Sequence, residues 1–184
     1  MQMIRTSLLL LLSSFLMVSC GTPRSFVTKK ISEPSKPLKS YIILYSVLHE
    51  DLQDMKEENY NTYIKGKFNN LQEKFFRDNL MDKYIDLAES GTVWDYRNIF
   101  EDFKGYEFKE FEELLEKNRI EFVLLITEKR FLPREQLPDI LNHQVYLFER
   151  GVDSPIWVSY GYPGSMPGRL ARGVHNDLKK EDFL

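Results

Sequence analysis

Two apolar segments of strand length constrain the fold of this 184-residue chain more than any other feature. The first is SYIILYSVL at residues 40–48, and the second is IEFVLLIT at 120–127. Short runs of this kind, rich in β-branched residues, are typical of buried strands. The residues between them are enough for helices that return the chain, so both strands can run parallel in one sheet through a right-handed crossover.

The intervening residues carry two amphipathic helix patterns. Apolar residues from Ile64 to Phe75 recur at steps of four, three and four, which predicts one helical stripe that continues to Leu87. A second helix is predicted from Phe108 to a cap near Asn118. We expect both helices to bridge the two apolar strands on one side of the sheet.

The C-terminal third reads as a hairpin followed by a helix. QVYLFE at 144–149 and IWVSY at 156–160 are predicted strands joined by a turn. Leu170, Val174 and Leu178 recur every four residues in a closing helix. The predicted order is β-α-α-β-β-β-α, an α+β two-layer sandwich with an about four-stranded mixed sheet and its helices on one face.

The amino terminus has the proportions of an export signal. Arg5 is followed by an apolar core of about a dozen residues, too short to span a bilayer comfortably. This core ends in Met17-Val18-Ser19-Cys20, which resembles the lipobox of bacterial lipoproteins. The resemblance implies that residues 1–19 are a signal peptide and that Cys20 is the lipidated residue of the processed chain.

The region after Cys20 is predicted to be a tether. Residues 20–40 contain three prolines, five basic residues and one acid, with few large apolar side chains. We therefore expect a lipidated cysteine and flexible tether at 20–40 and a single α+β domain at 41–184. No acidic run follows Cys20, which favours an outer-membrane lipoprotein that faces the periplasm.

Composition narrows the expected partners. Residues 20–184 carry 24 basic and 28 acidic side chains, a net charge of −4. A nucleic-acid-binding domain normally has a basic excess, so no nucleic-acid partner is expected. The expected partners are the membrane, through acyl chains on Cys20, and a protein of the cell envelope.

The second half of the chain resembles the amino-terminal domain of TolB and several small envelope lipoproteins of unknown function. The similar segments are IEFVLLITEKRF, HQVYLFERGVDSPIWVSY and GRLARGVHNDL. In the last of these, the residues that match are Arg169, Leu170, Ala171, Asp177 and Leu178. The resemblance implies an envelope protein that docks other proteins and has no catalytic site.

A group of three polar residues motivates an alternative. His49 ends the first strand beside Asp51, and His143 precedes the hairpin, so these three residues could serve a periplasmic enzyme or bind a metal. They lie on separate elements without close ligand spacing, and ordinary surface roles are the competing interpretation. We expect no catalytic residue, metal or cofactor.

An aromatic segment offers a candidate partner-binding surface. Trp94, Tyr96, Phe100 and Phe103 lie among acidic residues, and such aromatics are frequent interface anchors. The competing interpretation is that they fill the edge of the core. The primary functional prediction is a lipid-anchored protein that binds or scaffolds an envelope partner; a further alternative is an immunity-type lipoprotein that blocks a toxin.

Overall fold

The computed structural model describes residues 27–48, 51–65, 71–89, 92–101, 104–129, 142–163 and 166–184. Within these ranges, the chain forms one open mixed sheet of six strands and four helices, which confirms the α+β class. No helix in the same ranges is long and apolar enough to cross a bilayer. Cys20, His49 and Phe103 lie outside the described residues.

Two helix-containing stretches lie between strands, and a last helix follows the final strand. Short turns of other helix types occur at Tyr60–Ile64 (π) and Tyr96–Asn98 (3₁₀). The strands and helices are β1 (Val27–Lys30), β2 (Tyr41–Val47), α1 (Glu57–Asn59), α2 (Leu71–Ile85), β3 (Val93–Trp94), α3 (Phe108–Lys117), β4 (Phe122–Lys129), β5 (Asn142–Glu149), β6 (Trp157–Pro163) and α4 (Pro167–Lys180).

The sheet contains the four predicted strands and two more, so both the strand count and the predicted order β-α-α-β-β-β-α were wrong. Its order is β1-β6-β5-β4-β2-β3, with β2 parallel to β4 and the following strands antiparallel. The prediction of about four strands was wrong because both edge strands were missed. β1 lies inside the predicted tether and pairs with β6, and the two-residue β3 pairs with β2.

The helices cover both faces of the sheet, whereas one face was predicted. The chain leaves β2 for β3 on one side and then passes β2 again to reach β4 on its other side. Crossovers of the same hand in opposite directions place their helices on opposite faces. The missed strand β3 therefore accounts for the wrong layer prediction, because it divides one expected crossover into two.

The strand residues show which helix covers which face. Tyr41 and Tyr45 contact Tyr84 and Phe76 of α2, at ring-centroid distances of 6.2 and 4.9 Å. We call this side the α2/α4 face, since Trp157 on the same side contacts Phe183 just after α4. The other side is the α3 face.

The predicted helical stripe from Ile64 to Phe75 is not continuous. Ile64 belongs to the π-helical turn, and α2 begins separately at Leu71. As a result Phe76 packs against the sheet, and Phe75 is 81% exposed. The two ends of the predicted stripe belong to different helical segments, so their spacing does not place them on one side.

Candidate functional site

Trp94 occupies the short edge strand β3 and is half-buried. Its indole Nε1 donates to the Ser40 hydroxyl at 3.0 Å, and that hydroxyl donates to the Arg119 carbonyl at 2.7 Å. The side chain thus ties the edge of the sheet to the segment that enters β4. This contact gives Trp94 a structural role at the sheet edge.

Tyr96 and Phe100 belong to the core. The Tyr96 hydroxyl accepts a hydrogen bond from Arg77 Nε at 2.9 Å and donates to the Asp78 carboxylate. Burial, together with that carboxylate, raises the pKa of Tyr96 to about 12. Phe100 stacks on Phe111 of α3 at 5.9 Å. These two residues of the proposed aromatic surface therefore fill the core, as the competing interpretation expected.

Asp51 takes part in a polar chain on the α3 face, at the carboxyl end of β2. Gln144 donates from Nε2 to the Asp51 carboxylate at 3.0 Å and accepts from the Tyr146 hydroxyl at 2.8 Å. The Tyr146 hydroxyl in turn accepts from the Leu52 backbone N–H at 3.2 Å. This chain fixes the loop after β2 to the sheet.

His143 is fully buried on the α2/α4 face. Its ring stacks on Phe76 of α2 with centroids 5.7 Å apart, and its strand partner Glu128 accepts from the Tyr45 hydroxyl at 2.7 Å. Burial lowers the pKa of His143, because the charged imidazolium would lose its water, and the Glu128 carboxylate offsets only part of this effect.

The structure does not bring Asp51 and His143 together. Consecutive strand residues point to opposite faces of a sheet, and Asp51 is bonded to Gln144, the residue after His143. Within the ranges that the structure describes, no group of three or more histidine, cysteine, aspartate or glutamate residues is placed to hold a metal ion.

The α3 face carries a surface cleft that the sequence analysis missed. We call it the α3 cleft; it has a volume of about 50 Å³ and lies between α3 and the β5–β6 turn. Its lining combines apolar residues with a charged rim. The apolar residues are Met55, Phe108, Phe111, Leu115, Val123 and Phe148, and the rim residues are Glu112, Arg150, Val152 and Asp153. Glu149 also borders the cleft, but it is buried and its carboxylate accepts from the Ser35 backbone N–H at 3.0 Å.

Local hydrogen bonds hold the turn beside this cleft. Gly151 adopts a positive φ of 81°, which a glycine allows without strain, and the Arg150 N–H donates to the Glu121 carbonyl at 2.8 Å. The Met55 N–H donates to the Asp153 carbonyl at 2.9 Å. The sequence predicted both the β5–β6 turn and helix α3. They lie side by side only because helices cover both faces of the sheet, which was not predicted.

Comparisons with known proteins give little further guidance. No family model matches the chain, and no curated protein matches it. Among solved structures, two of the PelC dodecamer from Paraburkholderia phytofirmans are similar at 8% sequence identity, covering 79% of this chain and 88% of theirs. Their TM-scores are 0.35 and 0.34, and a likeness this low supports no inference about this chain.

Proposed function

We propose that this chain is a lipid-anchored cell-envelope protein whose folded domain binds or scaffolds an envelope partner, held at the outer membrane on its periplasmic side. One observation carries the proposal. Cys20, in its lipobox-like setting, lies only seven positions before Val27, where β1 begins. Chain geometry limits the distance between these two residues to about 25 Å.

This spacing fits an anchored domain. One acyl chain gives only marginal, reversible membrane binding, whereas several chains on one residue give stable anchoring. A multiply acylated Cys20 would hold the sheet within that short distance of the membrane. The lone cysteine also needs no disulfide partner if its sulfur carries lipid.

The α3 cleft supports the binding part of the proposal. Its floor is apolar, Val152 on its rim is 44% exposed, and the rim carries Glu112 and Asp153 against Arg150. The exposed side of α3 adds Glu113 and Glu116. A protein segment that inserts one apolar side chain flanked by lysine or arginine would complement this surface.

The alternative enzyme gains no support from the positions of its residues. Asp51 is engaged by Gln144 on one face of the sheet, and His143 is buried beneath α2 on the other. The two side chains therefore do not act on one bound molecule in this arrangement.

The anchor is tested by Cys20→Ser, which replaces the sulfur atom of the side chain with oxygen. Wild-type protein expressed with its own signal should fractionate with membranes and be released only by detergent. Cys20→Ser, with residues 1–19 replaced by a signal peptide whose removal needs no lipid, should be recovered in the soluble fraction, because serine lacks the thiol that accepts diacylglycerol. Membrane association of the cleaved Cys20→Ser chain equal to that of the wild type would refute lipid anchoring.

The partner is tested by cross-linking in cells. A photoreactive phenylalanine derivative at Val152, on the cleft rim, should give one discrete cross-linked product. The same derivative at Lys179, on the exposed side of α4, is the matched control and should not give that product. No product from Val152 would contradict the assignment of the α3 cleft; a toxin as the partner would favour the immunity-type alternative.

A further inference from the structure

Helix α4 presents a basic surface to solvent. Arg169, Arg172, Lys179 and Lys180 are all exposed. At about 100° per residue, these four positions fall within an arc of about 100°. The buried positions Leu170, Val174 and Leu178 lie on the opposite side of the helix. We call the four cations the α4 basic face.

Two of the acids near this helix bond to neighbouring strands, and Glu89, which follows α2, lines a pocket together with Lys179. Asp177 accepts a hydrogen bond from the Tyr162 hydroxyl of β6 at 2.7 Å. Glu181 accepts from the Thr28 hydroxyl of β1 at 3.4 Å. Asp182 is exposed but follows the end of the helix. The α4 basic face is therefore a local excess of positive charge on a chain whose residues 20–184 carry a net charge of −4.

The same helix lies beside the strand through which the chain enters the fold. Lys30 of β1 is 4.9 Å from the ring of Phe183, directly after α4, and Phe183 contacts Trp157 of β6. The chain between Cys20 and Val27 can extend over at most about 25 Å, and α4, beside β1, is about 21 Å long for its 14 residues. A membrane anchored at Cys20 would therefore be within reach of this helix.

We propose that the α4 basic face is the membrane-facing surface of the domain and contacts anionic lipid headgroups. This inference rests on the proposed lipid anchoring at Cys20. Lysine and arginine close to an anionic leaflet are attracted to it, and the attraction acts only within a Debye length of about 8–10 Å. The anchor supplies that proximity, which favours lipid over an acidic protein as the occupant.

The acids on α3, on the opposite side of the sheet, favour the same orientation of the domain on the membrane. The exposed side of α3 carries Glu112, Glu113 and Glu116, which an anionic surface would repel. With the α4 basic face on the membrane, the α3 cleft faces away from it. The domain would then present its cleft to a partner while it lies on the lipid.

The test uses purified lipidated protein incorporated into vesicles. Because the Cys20 thiol is acylated, a single new cysteine can carry a fluorophore: Asn176→Cys among the α4 cations or Glu113→Cys on α3 as the matched control. In vesicles that contain phosphatidylglycerol, a headgroup-bound quencher should reduce the α4 signal much more than the α3 signal. Equal quenching at the two positions would overturn the proposal.

Charge reversal separates electrostatic contact from simple nearness. The triple variant Arg172→Glu, Lys179→Glu and Lys180→Glu should lower α4 quenching to the α3 level, and high salt should do the same to the wild type. The control pair Lys109→Glu and Lys117→Glu should leave it unchanged. Quenching that persists in the triple variant would overturn the proposal.

The design also distinguishes the two proposals. If the purified protein carries no acyl chains and does not enter vesicles, the anchoring proposal fails. If it is acylated and incorporated but α4 stays unquenched, anchoring stands and the orientation is wrong. Protection of α4 in native membranes but not in protein-free vesicles would identify an acidic protein as the occupant, and it would also overturn the lipid assignment.

Discussion

Helices α3 and α4 cover opposite faces of one sheet, and they differ both in the charges that they expose to solvent and in the buried residues between them and the sheet. The exposed side of α3 carries more acids than lysines, whereas α4 exposes four cations. Beneath α3, the contacts are aromatic, with Phe111 stacked on Tyr60 and Phe100 at 5.0 and 5.9 Å. Beneath α4 and α2, the core includes the two buried histidines His143 and His175.

This difference teaches that the two faces are stabilised by different means. The aromatic contacts beneath α3 depend on apolar burial, which is insensitive to pH. The α2/α4 face also buries groups whose protonation would cost free energy. We therefore expect the two faces to respond differently to truncation, to acid and to the loss of single hydrogen bonds.

The largest expected effect is a cavity beneath α3. Phe111→Ala should lower the free energy of unfolding by about 3–5 kcal/mol, because it removes a fully buried ring from the aromatic contacts. Urea denaturation measures the change. Glu116→Ala, at an exposed position of the same helix, is the control. A loss below about 1 kcal/mol for Phe111→Ala would show that the ring is not packed as described.

Acid should affect the α2/α4 face selectively. Burial lowers the pKa values of His143 and His175 below the unfolded value of about 6.5. Since the unfolded chain then binds protons more readily, stability is complete above about pH 6.5. It falls as the pH drops toward the folded pKa values, by at most about 1.4 kcal/mol per pH unit for each histidine.

Replacing these histidines tests the acid effect. His143→Phe and His175→Phe together should flatten the dependence of the unfolding free energy on pH between pH 6.5 and pH 5. This range lies just below the unfolded histidine pKa of about 6.5, where the unfolded chain begins to bind protons. Denaturant unfolding at each pH gives the profile. A slope identical to that of the wild type would mean that other groups cause the acid sensitivity.

Removing one hydrogen bond on each face compares the two faces through smaller changes in stability. Tyr162→Phe removes a bond to the Asp177 carboxylate and should cost about 1.5–3 kcal/mol, the range for charged partners. Tyr60→Phe, beneath α3, removes a bond to the neutral Tyr106 carbonyl and should cost about 0.5–1.5 kcal/mol. Thermal unfolding of the two variants should rank them in this order, and the reverse order would contradict the account.

The smallest effect is expected from the exposed charges. Reversal of Arg172, Lys179 and Lys180, or of Glu112, Glu113 and Glu116, should change stability by only about 0.5 kcal/mol or less per site. Denaturation of both triple variants checks this expectation. A large loss in the α4 variant would mean that its membrane phenotype reports unfolding rather than lost lipid contact.

The sequence predicted the central elements because each carries its own pattern. The apolar runs that became β2 and β4 identify buried strands wherever they lie, and the stripe from Leu170 to Leu178 identifies α4. The helix that contains Phe111 also ended near Asn118, as predicted. Local periodicity is sufficient for elements of this length.

The edges of the sheet could not be predicted in the same way. VTKK in β1 and the two residues of β3 have no distinctive periodicity, and they are strands only because β6 and β2 offer them partners. The α3 cleft follows from the crossovers that β3 creates, and Asp51 is separated from His143 because it bonds to Gln144, on the other face of β5. Site geometry therefore depended on the least readable part of the chain.

The central claim is that lipid on Cys20 holds this domain at the membrane. Mass spectrometry of the native, detergent-extracted protein tests it most directly. The account predicts an amino-terminal peptide that begins at Cys20 and carries both a diacylglyceryl group on sulfur and an acyl group on nitrogen. A native chain that retains residues 1–19, or that begins elsewhere with an unmodified Cys20 thiol, would contradict it.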